Sequence, residues 1–153
     1  MRIGFIGLGN VGGKLAKNLL NNQFDLTVFD KNKEILNDFE LSGSKIASSI
    51  TQLVENTDLI ITCLPSPEVC AEVLESNIGI INSIQEGQIW MEMSTTDEEQ
   101  LKKHAAMIEE KKAIALEAPV SGGCHRAATG NISIFVGGNR EGFEKALPIL
   151  KCL

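Results

Sequence analysis

A glycine-rich turn close to the amino terminus constrains the fold more than any other stretch of this sequence. The run Ile3–Ile6, in which only Gly4 breaks the apolar character, predicts a buried parallel strand. The turn Gly7–Gly12 follows at once and leads into a helical run from about Val11 to Leu20. A second apolar run then ends in Asp30. This order of strand, glycine turn, helix and acid-terminated strand is typical of a βαβ unit that binds a dinucleotide.

The three glycines of the turn have different predicted roles. Gly7 permits the tight turn, Gly9 lets the backbone approach a pyrophosphate, and Gly12 lets the helix pack closely on the strand. The helix that begins here directs free N–H groups and the positive end of its dipole at the phosphates. A glycine-rich turn in some other α/β protein is the alternative, and the joint presence of every element of the fingerprint disfavours it.

The acid at the end of the second strand indicates which dinucleotide is bound. A carboxylate at Asp30 accepts hydrogen bonds from the adenosine ribose hydroxyls and repels a 2′-phosphate, so the sequence predicts NAD in preference to NADP. An NADP site usually offers an arginine here, and a lysine at Lys31 or Lys33 would soften the preference. Capping the next helix is the alternative role of Asp30, and the two roles are compatible.

Strand and helix patterns alternate along the whole chain. Apolar runs of strand length recur at 25–29, 45–47, 57–64, 88–93, 113–117 and 132–136, and residues 118–130 are predicted to form a long glycine-containing connection. The alternation predicts an α/β fold of the doubly wound Rossmann type, with a mostly parallel sheet and helices on both faces. At 153 residues the chain fits one dinucleotide-binding domain, 1–153.

Composition and charge exclude several classes of function. The net charge is −6 and no basic stripe stands out, so a nucleic-acid partner is not expected. The cysteines form no CxxC pair and show no ligand spacing with the histidines, so no metal site is predicted. Cys63 and Cys70 are interpreted as small buried residues in a reducing compartment.

No targeting or membrane-spanning segment is expected. The first strand begins at the second residue, and the longest apolar run, Leu59–Leu64, is far too short to cross a bilayer. The expectation is therefore a cytoplasmic protein with no membrane partner.

Three further loops follow predicted strands and carry distinctive residues. The turn Leu64–Pro67, which begins with Leu64 and Pro65, is predicted to border the adenine or the nicotinamide ribose. Ser94 and Thr95 are predicted either to bond the nicotinamide ribose or to cap the next helix. The loop Ser121–Gly123 exposes backbone N–H groups and one hydroxyl, which suits a carboxylate or phosphate, and an ordinary flexible loop is the alternative.

Taken in order, these motifs resemble the amino-terminal half of the β-hydroxyacid dehydrogenases. That family includes 3-hydroxyisobutyrate dehydrogenase, tartronate semialdehyde reductase and 6-phosphogluconate dehydrogenase. The resemblance rests on the glycine turn, Leu64–Pro65, Ser94–Thr95, Ala118–Gly123 and the stretch from Gly130 to Gly138. It implies reversible hydride transfer between C4 of a nicotinamide and the hydroxyl-bearing carbon of a short hydroxy acid.

The resemblance also implies a role for each matching position. The implied NAD contacts are Leu8, Asn10, Val11, Asp30, Leu64, Pro65 and Thr95, which join Gly7, Gly9 and Gly12 of the turn. The residues implied to hold the substrate carboxylate are Ser121, Gly122 and Gly123. No residue of this chain is implied to be catalytic, because the family's general acid/base lysine lies downstream. The helical domain that carries that lysine is expected to complete the substrate pocket and to form most of a homo-oligomer's contacts.

The chain departs from the family pattern at several positions. The run Cys124–Arg126 replaces a small, glycine-rich segment, and its bulk and charge would alter which substrate fits or place Arg126 near an acid group. Glu92 and Glu117 each stand where an aspartate is usual. Two alternative hypotheses remain open: an NADP-dependent reductase of semialdehydes, glyoxylate or imines, and a stand-alone, non-catalytic NAD-binding module.

Overall fold

The computed structural model describes residues 1–153 and contains nine strands and eight helices. The strands are β1 (Arg2–Ile6), β2 (Asp25–Phe29), β3 (Lys45–Ile46), β4 (Leu59–Thr62), β5 (Ile89–Glu92), β6 (Ile114–Glu117), β7 (Val120–Ser121), β8 (Ser133–Ile134) and β9 (Gly137–Gly138). The helices are α1 (Gly12–Asn21), α2 (Lys33–Leu41), α3 (Ile50–Glu55), α4 (Pro67–Glu75), α5 (Ile80–Ser83), α6 (Glu98–Glu110), α7 (Gly123–Ala128) and α8 (Arg140–Leu150). None of these helices combines the length and the apolar character needed to cross a bilayer.

The main sheet has seven strands in the order β3-β2-β1-β4-β5-β6-β9. All neighbouring pairs are parallel except the last, in which β9 runs antiparallel to β6. The strand order reverses direction between β1 and β4, which is the switch point of a doubly wound sheet. The predicted fold class, a Rossmann-type α/β domain with a mostly parallel sheet, is confirmed.

Two apolar layers cover the two faces of the sheet. Successive side chains of a strand point to opposite faces, so Leu59 and Ile61 of β4 join one layer while Ile60 joins the other. The first layer is packed under α1 and α8, and the second under α3, α4 and α6. Because both faces are buried, the central strands read as continuous apolar runs.

The segment after β6 differs from its prediction in two respects. Residues 118–130 are not one irregular connection, because they contain β7 and α7. The predicted strand 132–136 does not enter the main sheet; β8 pairs antiparallel with β7 in a separate two-stranded sheet, and the edge strand is β9. Glycines in this segment favour a loop prediction, but two of them serve the backbone conformation. Gly122 and Gly123 have φ of 134° and 73° and lead directly into α7.

A buried amide links α1 to two distant segments. The Nδ2 of Asn18 donates to the carbonyl oxygen of Ala127 at 2.7 Å and to that of Leu153 at 3.4 Å. Replacing Asn18 by alanine would leave these buried carbonyls without their donor, and we expect the free energy of unfolding to fall by about 1–3 kcal/mol. Urea denaturation measures the change.

The matched control is Asn56→Ala. Asn56 is exposed, and its Nδ2 donates to the carbonyl oxygen of Gln52 at 2.7 Å, where water can replace it. We expect this control to change stability by less than about 0.5 kcal/mol. An equal fall in the free energy of unfolding in the two variants would show that burial does not strengthen the Asn18 contacts.

Candidate functional site

A cavity of about 750 Å³ lies where the strand order reverses, at the carboxyl ends of β1, β2 and β4. The glycine turn forms one wall, and Val69, Glu72 and Val73 of α4 form another. Open α/β sheets bind their ligands in this crevice. The cavity brings together eight of the ten predicted cofactor residues: Gly7, Gly9, Asn10, Val11, Gly12, Asp30, Leu64 and Pro65.

Two of the turn glycines are required by the protein itself. Gly7 has a φ of 95°, and a side chain there would collide with the carbonyl oxygen of Cys63. A side chain at Gly12 would collide with the carbonyl oxygen of Gly7. Glycine at these positions therefore lets the turn fold tightly between β1, β4 and the start of α1.

Gly9 is different, because no atom of the protein lies near its missing side chain. A Cβ atom placed on Gly9 would meet nothing within 4 Å, and this residue lines the cavity. The fold tolerates a side chain here, so the open space is available to a ligand that approaches the backbone. The residues present thus fit the pyrophosphate of a dinucleotide cofactor.

The amino terminus of α1 faces the same space without a cap of its own. Its N-cap residue, Val11, makes no side-chain hydrogen bond, and the first turn contains no acidic residue. The N–H groups of Gly13 and Lys14 are bonded to the backbone oxygens of Gly9 and Val11, so the helix dipole and the absence of a carboxylate are what favour an anion here. The Nζ of Lys14 donates to the carbonyl oxygen of Asn10 at 2.9 Å and so steadies the turn beside these groups.

Asp30 connects the glycine turn to the end of β2. Its Oδ2 accepts from the backbone N–H of Leu8 at 2.6 Å, and its Oδ1 accepts from the N–H of Asn32 at 2.8 Å. The side chain of Asn32, and not that of Asp30, caps α2 by accepting from the N–H of Glu34. The capping alternative for Asp30 is therefore wrong, and its carboxylate holds the turn in place while lining the cavity.

The turn Leu64–Pro65 is held by Ser94. The Oγ of Ser94 accepts from the backbone N–H of Leu64 at 2.7 Å, and the residue is only 5% exposed. The cap of α6 is Asp97, which accepts from the N–H groups of Glu99 and Gln100. The helix-capping alternative for Ser94 is thus wrong, and its hydroxyl positions a wall of the cavity.

The other predicted site residues lie elsewhere. Leu8 is buried in the core and reaches the site only through its N–H bond to Asp30. Thr95 is exposed after β5 and does not line the cavity. The predicted substrate loop Ser121–Gly123 is exposed and lies outside the cavity, where β7 ends and α7 begins. Its position relative to α1 is set in part by Asn18, whose amide holds the end of α7.

Part of the cavity had no clear signal in the sequence. Phe29 and Ile50 contribute apolar surface, as do Val69 and Val73 of α4 and the exposed Ile78. The i, i+4 spacing of the two valines marks a helix face, but the spacing alone does not tell whether that face covers the core or a ligand.

A buried carboxyl lies at the carboxyl end of β5, next to the wall formed by β4. Glu92 is 1% exposed, and its Oε1 accepts from the N–H of Ser94 at 2.7 Å. Burial raises the pKa of Glu92, against the opposing effect of hydrogen bonds from Ser94 and Thr62.

Two cysteine thiols lie near this carboxyl. Burial, with the nearby Glu92 charge, raises the pKa of Cys63 to about 12 and that of Cys70 to about 11. Both thiols are therefore protonated at neutral pH, in keeping with their interpretation as unreactive residues.

The raised pKa of Glu92 predicts a pH-dependent stability. Above the ordinary value of 4.5 the unfolded chain releases this proton while the folded chain retains it, so stability falls as pH rises until the folded pKa is passed. Glu92→Gln cannot ionise and keeps an oxygen for the Ser94 N–H. We expect the stability of this variant not to fall over that pH range, and we expect it to be at least as stable as the native chain at neutral pH. Urea denaturation at a series of pH values measures it.

The exposed Glu109 on α6 supplies the control. Glu109→Gln removes an exposed carboxyl in the same way, and the fall in stability with rising pH that is expected from Glu92 should remain in this variant. An unchanged pH profile in Glu92→Gln would mean that the buried carboxyl does not retain its proton.

Comparisons with known proteins find matches that span nearly the whole chain. The family model described as the NAD binding domain of 6-phosphogluconate dehydrogenase matches residues 2–153. The mitochondrial 3-hydroxyisobutyrate dehydrogenase of Mus musculus is 36% identical over 151 residues, which cover 99% of this chain and 45% of that protein. The chain thus spans about half the length of the curated relatives it matches.

Two solved structures of higher than 25% identity have the same fold. The 3-hydroxyisobutyrate dehydrogenase of Mycobacterium tuberculosis with L-serine superposes with a TM-score of 0.88 at 27% identity, covering 99% of this chain and 52% of that one. Psf3 in complex with NADP⁺ and 2-OPP superposes with a TM-score of 0.95 at 27% identity, covering 98% and 53%. Each contains a region similar to the whole of this chain.

Proposed function

This chain belongs to the family of the NAD-binding domain of 6-phosphogluconate dehydrogenase, and on that basis we propose that it is the cofactor-binding half of an oxidoreductase. The expected resemblance to the β-hydroxyacid dehydrogenases is confirmed. The proposed reaction is hydride transfer between NAD and a short β-hydroxy acid of the 3-hydroxyisobutyrate type, or its semialdehyde. NAD, when bound, supplies the hydride chemistry; the chain binds and orients it.

The observation that carries the proposal is the open space beside Gly9. It lies in a cavity at the switch point of the sheet, next to the start of α1, whose N-cap residue makes no side-chain hydrogen bond. A phosphate there would accept hydrogen bonds from backbone N–H groups and gain from the helix dipole. No residue of the protein fills the space, and a side chain at this position would block it.

The choice of NAD over NADP rests on Asp30. Its carboxylate lines the cavity at the end of β2, where the family pattern places the adenosine ribose. Each oxygen already accepts one backbone N–H, and a second lone pair remains on each for a ribose hydroxyl. A 2′-phosphate beside this carboxylate would be repelled, so NADH is the proposed preference.

The substrate side of the proposal rests on the loop after β7. Ser121 offers a hydroxyl, and Gly122 and Gly123, with positive φ, offer backbone N–H groups for a carboxylate. The single lysine that lines the cavity, Lys31, is paired with Glu72, so no free lysine is offered there. In the whole protein, the proton transfer and a homo-oligomer are proposed to depend on a helical domain of the family type.

Titration of the 153-residue chain with NADH, followed by nicotinamide fluorescence and by calorimetry, tests the proposal. We expect NADH to bind, NADPH to bind more weakly, and turnover of 3-hydroxyisobutyrate by this chain alone to be negligible. Absence of NADH binding at millimolar cofactor would refute it. In a protein that also carries the helical domain, turnover of a panel of short hydroxy acids with NAD and with NADP would identify the substrate.

A further inference from the structure

Only three charged side chains line the cavity, and two of them form an ion pair. The three are Asp30, Lys31 and Glu72, which give the lining one net negative charge. The Nζ of Lys31 lies 3.0 Å from Oε1 and 3.1 Å from Oε2 of Glu72. Lys31 directly follows Asp30, whereas Glu72 lies on α4, so the pair joins two walls of the cavity beside the Asp30 carboxylate.

The exposure of this pair argues that it contributes little to stability. The side chains of Lys31 and Glu72 are 72% and 60% exposed. An ion pair in so much water gains little over the separated, solvated charges. The pair can therefore be broken without unfolding the chain. A change in ligand affinity after its removal will then not result from loss of the fold.

We propose that Glu72 is a coenzyme-specificity residue of this cavity. By holding the Lys31 ammonium, Glu72 withholds the one cation in the lining from a 2′-phosphate, and it adds a second negative charge to that of Asp30. This inference rests on the proposed function, in which the cavity binds the adenosine half of a nicotinamide dinucleotide.

The chemistry of the two coenzymes explains why this charge arrangement would affect NADP and not NAD. NADP differs from NAD only in a phosphate monoester on the adenosine ribose, which carries about 1.5 to 2 negative charges at neutral pH. A free lysine is an ordinary partner for such a group. Here a bound phosphate would have to separate Lys31 from Glu72 or lie close to two carboxylates, and both outcomes disfavour NADP. NAD lacks the phosphate and meets neither obstacle.

The test compares dissociation constants for NADH and NADPH in the native chain and in Glu72→Gln. Glutamine keeps the size of the side chain and removes its charge, which frees the Lys31 amine. We expect NADPH to bind about threefold to fivefold more tightly, the size of effect typical of one exposed charge pair. NADH binding should change by less than about twofold, since it carries no charge at the affected position.

Two further variants identify the source of the change. Lys31→Met removes the amine. In that background, Glu72→Gln should therefore improve NADPH binding less than it does in the native chain. Glu98→Gln breaks another exposed ion pair, which Glu98 forms with Lys102 on α6, outside the cavity. This variant should leave the binding of both coenzymes unchanged.

The possible results separate this inference from the proposed function. If Glu72→Gln weakens the binding of both coenzymes equally, the pair serves to close the cavity and the specificity role is overturned. An unchanged ratio of NADPH to NADH affinity, with NADH bound normally, overturns the inference alone. If the native chain binds neither coenzyme, the proposed function fails and this inference fails with it.

Discussion

Replacing Gly9 by valine is expected to abolish detectable NADH binding while the chain stays folded. A Cβ atom at this position meets no protein atom within 4 Å and projects into the cavity, where the proposed pyrophosphate lies. We expect the dissociation constant to rise at least about 100-fold, equivalent to ~2.7 kcal/mol of binding free energy. The free energy of unfolding should change by less than about 0.5 kcal/mol. Fluorescence titration and urea denaturation measure the two effects.

Two other glycines give contrasting controls for this prediction. Gly12→Ala should weaken binding together with stability, because its side chain would collide with the carbonyl oxygen of Gly7. Gly137→Ala should change neither, because its added Cβ would lie 3.7 Å from the nearest atom, a Glu117 carboxylate oxygen, outside the cavity. Normal NADH binding by Gly9→Val would place the pyrophosphate elsewhere.

Asp30→Ala should weaken NADH binding and also destabilise the fold. Removal of the carboxylate deletes the proposed ribose contacts and leaves the N–H groups of Leu8 and Asn32 without their acceptor. We expect NADH affinity to fall about 10-fold to 100-fold and the free energy of unfolding to fall by ~1–3 kcal/mol. The preference for NADH over NADPH should decrease, since the charge that repels the 2′-phosphate is gone.

The variant Asp30→Asn separates the charge from the hydrogen bonds. Its amide oxygen can still accept from the N–H of Leu8, so stability should fall less than in Asp30→Ala. The loss of charge is complete in both variants, so the change in the NADPH to NADH ratio should be similar. Should both variants bind NADH as the native chain does, Asp30 would be a structural anchor of the turn and no ribose ligand.

The fold class could be predicted because its signals are local. Each central strand is a run of a few apolar residues, and each long helix has an apolar face or a cap within the same segment. The glycine turn and Asp30 lie within thirty residues of each other and are joined by one βαβ unit, so their meeting follows from the order of elements alone. The cavity at the switch point follows in the same way.

The small sheet and the edge of the large one could not be predicted. A pair such as β7 and β8 has two residues on each side, which is too short for an alternating pattern. The strand β9 consists of two glycines, a residue type depleted in strands, and it exists because Glu117 and Leu116 of β6 offer it a partner. Pairing between distant segments decides these elements, and local propensity does not.

Local sequence patterns are enough to predict a Rossmann-type domain with a dinucleotide turn and an acid beside it. They do not predict the contacts that complete the cavity, in which Ser94 holds Leu64 and Glu72 of α4 pairs with Lys31 next to Asp30. The difference arises because the partners in these contacts lie far apart along the chain. Local patterns report the conformation of one segment, whereas a hydrogen bond or ion pair between residues thirty or forty positions apart exists only once the sheet has brought both segments to the same edge.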